Sequence, residues 1–190
     1  MRLPYIPNPP TPENEEDRAI VQRVKQRRGE AGLLELDLAL LHSPPVADGW
    51  NSFLGSIRTK TTLSTSIRET AICRVAVLNK AWFEWEHHAP LLQACPDIKE
   101  EQIQNILRSP AHSAGTDDFD EEHRAVLSYT DAMTLDVSVP DAVSERLRKS
   151  FSDREVVEIT ATIAAYNCVS RFLVALDVGE RNKPSGPLEK

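Results

Sequence analysis

Glu84 and His88 stand four residues apart in Ala81-Trp82-Phe83-Glu84-Trp85-Glu86-His87-His88, and Glu69 lies twelve residues before Ala81. On a helix, side chains at i and i+4 share a face. A carboxylate beside an imidazole is a minimal proton-transfer pair, and the flanking indoles of Trp82 and Trp85 would shape an apolar pocket around it. Each residue also has a plainer role open to it. Glu84 fits a solvated surface position, and Glu69 fits the N3 partner of a capping box on Ser66. His87 and His88 point about 100° apart on a helix, so they do not face one pocket together. His88 keeps the relation to Glu84, whereas His87 reads as a surface or supporting residue. Glu84 with both histidines offers a zinc-like set without a well-spaced further ligand, so no metal is expected.

A second pair sits further along. Asn167 and Arg171 are again i and i+4, in the apolar company of Ile163, Ala164, Phe172 and Leu173. A guanidinium on such a face needs a carboxylate, from Glu69, from another subunit or from a ligand. Cys73, one turn after Glu69, reads as a packing residue outside the catalytic set.

The elements that must position these groups are all helical. Thr11-Pro12 reads as an N-cap with proline at the first helical position, opening a helix to about Arg28 that Gly29 and Gly32 break. A short apolar helix covers Leu33–Leu41. Ser43-Pro44-Pro45 starts the next, with Val46, Trp50, Phe53, Leu54 and Ile57 as its buried stripe. Helices follow at about Ser66–Leu78 and Ala81–Ala94, joined by a turn at Asn79-Lys80. Asp97-x-x-Glu100 reads as a capping box ahead of Ile103, Ile106 and Leu107. A loop over Ser109–Asp118 precedes helices at about Phe119–Leu135, Asp141–Ser150 and Ser152–Val178. The last is opened by Ser152-x-x-Glu155 and closed by Gly179. No stretch alternates with period two, so the fold class is all-α with about eight helices. Residues 1–12 read as an extended proline-rich arm, 13–179 as one all-α domain, and 180–190 as a loose polar tail.

Composition narrows the function. The chain has 190 residues, 27% charged and 41% hydrophobic, with net charge −7. Such acidity and the lack of a basic run beyond Lys25-Gln26-Arg27-Arg28 argue against nucleic acid. No apolar stretch reads as a membrane span, and the N-terminus lacks a signal-peptide core. Three widely spaced cysteines fit free thiols in a reducing compartment, so a cytoplasmic protein is expected. No phosphate loop or dinucleotide fingerprint is present, and no cofactor is expected.

Several segments together resemble one family. They are Met1-Arg2-Leu3-Pro4-Tyr5, Leu40-Leu41-His42-Ser43-Pro44, Phe53-Leu54, Asp153-Arg154-Glu155-Val156-Val157-Glu158 and Tyr166-Asn167-x-x-x-Arg171-Phe172. The diagnostic ones are Arg68-Glu69-x-Ala71-Ile72 and Phe83-Glu84-Trp85-x-x-His88. The chain is similar to the carboxymuconolactone decarboxylase family of the AhpD-like superfamily. In the AhpD-like branch, a Glu precedes a Cys-x-x-Cys-x-x-x-His segment and the thiols run a peroxidase cycle. That pattern falls on Glu69, Ala81, Glu84 and His88, so both cysteines are replaced and dithiol exchange lacks its reactants.

The resemblance implies an AhpD-like helical bundle that forms a trimer-based homo-oligomer. It further implies cofactor-independent decarboxylation, or a related lyase or isomerase step, on a small carboxylated lactone or polyketide-like ring. His88 would donate the proton, Glu84 and Glu69 would tune and relay it, and Arg171, Asn167, His87 and Trp85 would hold the substrate. The rival readings are an AhpD-like alkylhydroperoxidase working through Cys73 and a non-catalytic oligomeric binding protein.

Overall fold

The computed structural model describes residues 1–113, 118–182 and 186–189. The described residues form nine α-helices, short 3-10 turns and one π-helical turn, with no strand among them. The expected loop over 109–118 and tail over 181–190 lie partly outside the described residues. The chain divides into two compact units, Met1–Lys60 with Leu176–Glu180 and Thr61–Ala175 with Arg181–Lys190.

The first unit holds α1 (Glu15–Arg28), α2 (Glu35–Leu40) and α3 (Pro44–Thr59). The helix expected to start at Thr11-Pro12 starts three residues later. Asn14 is its cap and accepts from the Asp17 amide at 2.8 Å, and Glu15, Glu16 and Asp17 place negative charge at the positive helix end. Asn14→Ala should therefore cost about 1 kcal/mol in a urea titration. At the other end of α1, Arg28 grips the buried Asp37 through two bonds of 2.7 and 2.8 Å. Asp37 also accepts from the Leu34 amide at 2.8 Å, which fixes the start of α2. The stripe expected on α3 is corrected in phase. Ala47, Leu54 and Ile57 are buried, whereas Val46 and Phe53 are about half exposed, at 54% and 49%. That helix carries apolar residues on more than one face, and spacing alone did not rank the faces.

The second unit holds α4 (Thr65–Leu78), α5 (Trp82–Gln93), α6 (Glu100–Arg108), α7 (Glu121–Asp131), α8 (Asp141–Ser150) and α9 (Asp153–Leu176). Its centre is α4, capped by Ser64, which accepts from the Ile67 amide at 3.2 Å. α4 is buried on every side rather than along one stripe, including Glu69, Thr70 and Arg74. Arg74 is wholly buried and uses its fork in full. It pairs with Asp131 at 2.6 and 2.9 Å and donates to the carbonyls of Ile106, Ser109 and Pro110 at 3.0 Å each. One side chain thus ties the end of α6 and the chain after it to α7 and α4.

The capping box expected at Asp97-Glu100 does not form. Asp97 accepts from Ser66 Oγ at 2.6 Å, and Gln102 returns to the Lys99 amide at 2.7 Å to cap α6. α7 passes into a π-helical turn, Ala132–Asp136. The box at Ser152-Glu155 does form, with Ser152 N and Oγ donating to Glu155 at 2.9 and 2.7 Å. α9 has the length and hydropathy of a membrane span, yet Ile159, Ile163, Tyr166, Val169 and Leu173 are buried inside the protein.

Candidate functional site

The connection between α4 and α5 creates the site. After Leu78, Asn79 caps α4, and Lys80 takes a left-handed φ of 54°. The Ala81 amide then donates back to the Ala76 carbonyl at 2.8 Å. The chain reverses within three residues, so α5 folds back against α4 as an αα-hairpin. His88 thereby meets Glu69 across the hairpin, with Nδ1 2.6 Å from Glu69 Oε2. Both side chains are nearly closed from solvent. The other carboxylate oxygen of Glu69 receives Arg68 Nε at 3.3 Å. The Tyr166 ring stands edge-on to the His88 imidazole, 4.9 Å between centroids and 85° between planes.

A carboxylate acceptor at Nδ1 holds the imidazole proton there. The ring is thereby oriented and Nε2 becomes the atom that takes or gives a proton. Arg68 supplies a positive partner and His88 an N–H donor to a buried carboxylate that would otherwise be costly. The capping role open to Glu69 is not taken, since Ser64 is the cap of α4.

Glu84 lies apart from this pair. Its carboxyl does not bond His88, as the i,i+4 spacing suggested. Its partner is Ser170 on α9, whose Oγ is 3.1 Å from both carboxyl oxygens. Complete burial holds the Glu84 carboxyl well above the ordinary range against the opposing pull of the Ser170 hydrogen bond. Cys73, one turn beyond Glu69, is also fully buried. Its thiol is pushed well up, first by that burial and then by the acidic neighbour Glu69.

The remaining candidates fall elsewhere. His87 is exposed, with Nδ1 2.8 Å from the Phe83 carbonyl and its ring stacked on Phe83 at 4.2 Å. Trp85 is buried with Trp82, Leu92, Ile103 and Ile106. It also lines a cavity of about 330 Å³ with Ala89, Ile103, Leu107 and Pro187, whose lining includes none of Glu69, Glu84 or His88. The tail, expected to be loose, is seated there at its described end. Gly186 lies so close to Trp82 that an added Cβ would stand 2.2 Å from the indole.

Asn167 is committed to structure, accepting from Asn79 Nδ2 at 3.1 Å and donating to Thr134 Oγ1 and the Ile163 carbonyl at 3.0 Å each. Arg171 is exposed and turns Nη1 back to the Asn167 carbonyl and side-chain oxygen. The pair suggested between Arg171 and Glu69 does not form, because Arg68, the adjacent residue, takes that place. Among the described residues, no group of three or more His, Cys, Asp or Glu is placed to hold a metal.

Sequence reasoning missed Ser170 and the contact made by Arg68. A signal for Ser170 existed, because Thr162, Tyr166 and Ser170 recur every four residues and form a polar edge along one face of the helix.

The hairpin and its helical surroundings match solved structures. Over 72% of this chain and 90% of the other, it superposes at a TM-score of 0.63 and 24% identity on a protein of unknown function from Agrobacterium tumefaciens described as an AhpD antioxidant defence protein. An alkylhydroperoxidase AhpD core, a peroxidase-related protein from Ralstonia eutropha JMP134, gives a TM-score of 0.70 at 18% identity over 88% and 90%. The fold is AhpD-like. A third neighbour is a cysteine-to-alanine variant of the debrominase Bmp8 in complex with 2,3,4-tribromopyrrole. It gives a TM-score of 0.67 at 16% identity over 88% of this chain and 89% of that one. No family model and no curated protein matches the chain.

Proposed function

We propose that the chain is a cofactor-independent acid–base enzyme of the carboxymuconolactone decarboxylase type. Its reaction is decarboxylation, or a related lyase or isomerase step, on a small carboxylated lactone or polyketide-like ring. The observation that carries this reading is the buried 2.6 Å contact between His88 Nδ1 and Glu69. In the decarboxylation, the bond between the ring carbon and the carboxylate breaks, and carbon dioxide leaves. The electron pair passes to a neighbouring carbonyl as an enolate, and a proton is delivered to the carbon from His88 Nε2. Glu69 holds the imidazole in the working tautomer and stabilises its charged form. Arg68, which already touches Glu69, is the cation beside the dyad, and in this reading it receives the substrate carboxylate.

A thiol peroxidase is the weaker reading. Ala81 and Glu84 occupy the redox positions of the pattern that the sequence resembles, and the Cys73 thiol is disfavoured as a thiolate by burial and by the nearby Glu69. Two assays separate the readings. Replacing Cys73, Cys95 and Cys168 together with alanine should leave turnover of a small carboxylated lactone within about threefold of the parent, because no thiol takes part in proton transfer. Dithiol-dependent reduction of a hydroperoxide that disappears in the triple variant would replace the acid–base reading with the peroxidase one.

A further inference from the structure

We infer that Glu84 is a neutral carboxylic acid held by Ser170, and that it serves as a second proton store for the site, with Ser170 as its positioning residue. Ser170 Oγ is 3.1 Å from each Glu84 oxygen and 2.8 Å from the Tyr166 carbonyl. One hydroxyl has one hydrogen for these acceptors. The carbonyl contact is the shorter, and back-bonding from Ser Oγ to the carbonyl four residues earlier is a common helical arrangement. With that hydrogen spent on Tyr166, the Glu84 contact is satisfied when the carboxyl supplies the hydrogen and Ser170 Oγ accepts it.

Burial points the same way. Glu84 is 2% exposed and Ser170 is wholly buried. An ionised carboxylate there would have a neutral hydroxyl as its partner and no cation bonded to it, an arrangement that proteins avoid by keeping the proton. Glu69 shows the contrast within the same unit, since it is held by both Arg68 and His88. Cys73 on α4 is the titratable group that Glu84 faces, and Glu69 acts on the same thiol, while His88 stands one turn further along the helix that carries Glu84. From α9 comes the Ser170 hydroxyl, which also reaches the Tyr166 carbonyl, with the exposed Arg171 turned to Asn167. Two carboxyls with opposite partners give one ionised and one protonated acid, the division of labour that acid–base sites use. The proton-store role rests on the acid–base reading above, whereas the protonation itself does not.

The test has spectroscopic and kinetic arms. Infrared spectra of the native protein at neutral pH should contain the carbonyl stretch of a protonated carboxylic acid. That band should be missing in Glu84→Gln. In Ser170→Ala it should persist at higher frequency, because a hydrogen bond to the acid is lost. Thermal unfolding followed against pH supplies a check that needs no substrate. A carboxyl whose folded pKa is raised favours the folded state below its unfolded value near 4.5, and that advantage is lost as pH rises through the folded value. The parent should therefore lose stability relative to Glu84→Gln as pH climbs from the ordinary carboxylate range.

In the kinetic arm, Glu84→Gln should lower turnover by about tenfold or more. Ser170→Ala should lower it less and should move the pH profile. A spectrum without the carboxylic band, or a band that survives Glu84→Gln, would overturn the protonation and with it the whole inference. The expected spectra with unchanged turnover in both variants would overturn the proton-store role and leave the Glu69–His88 reading standing.

Discussion

Asp131→Ala should be among the most destabilising single substitutions in the chain, costing about 3–5 kcal/mol. Arg74 and Asp131 are 0% and 1% exposed in their side chains, and they meet through two bonds of 2.6 and 2.9 Å. Without Asp131 the guanidinium stays buried, because three main-chain carbonyls still accept from it, yet it has no counter-charge. The His112 amide also loses its 2.6 Å acceptor. Removing one partner of such a pair leaves an uncompensated charge, which is worse than removing both. Arg74→Met with Asp131→Leu should therefore be less destabilised than Asp131→Ala, although the carbonyls of Ile106, Ser109 and Pro110 lose their donor. Urea unfolding measures the difference directly, and in thermal scans the single variant should melt roughly 6–20 °C lower. A loss below about 1 kcal/mol would mean that water or a rearranged side chain compensates Arg74.

This pair also shows where the sequence stops being readable. The helices of the second unit were legible because their apolar spacing, the cap at Ser152-Glu155 and the turn at Asn79-Lys80 are local signals. Family spacing and the i,i+4 pair grouped Glu69, Glu84 and His88 together, and the hairpin joins two of them, Glu69 and His88. The partner of each group was not. Arg74 looks like an ordinary surface arginine in Thr70-Ala71-Ile72-Cys73-Arg74, and only the return of α7, fifty-seven residues later in the chain, supplies its carboxylate. Glu84 was paired with His88 by helical spacing, but burial decides otherwise, because α9 brings Ser170 to the carboxyl. Arg171 looked like the cation for Glu69, and the adjacent Arg68 reaches it first. Local pattern names the groups that a helix presents, and the contact partners depend on which helix arrives opposite.

Glu69→Gln and His88→Asn should each reduce turnover by about two orders of magnitude or more, the scale of losing a positioned acid or base. The two substitutions fail for different reasons. His88→Asn removes the imidazole, so no group remains to carry the proton to the substrate. Glu69→Gln leaves the imidazole in place, but an amide presents both a donor and an acceptor to Nδ1 and no longer fixes the tautomer. It also withdraws the negative charge that stabilises an imidazolium and that Arg68 now faces at 3.3 Å. Because the two residues act as a unit, the double variant should be little worse than the weaker single one. His87→Asn is the control, since that ring is exposed, stacked on Phe83 and turned to its carbonyl. It should stay within about threefold of the parent, as expected for a histidine outside the proton path. Melting temperatures measured on the same four proteins separate chemistry from architecture. The acid–base assignment requires turnover to collapse in Glu69→Gln and His88→Asn at temperatures where both remain folded. If the loss of activity follows the loss of melting temperature across the set, the 2.6 Å contact is a strut between α4 and α5 and the catalytic role assigned to it falls.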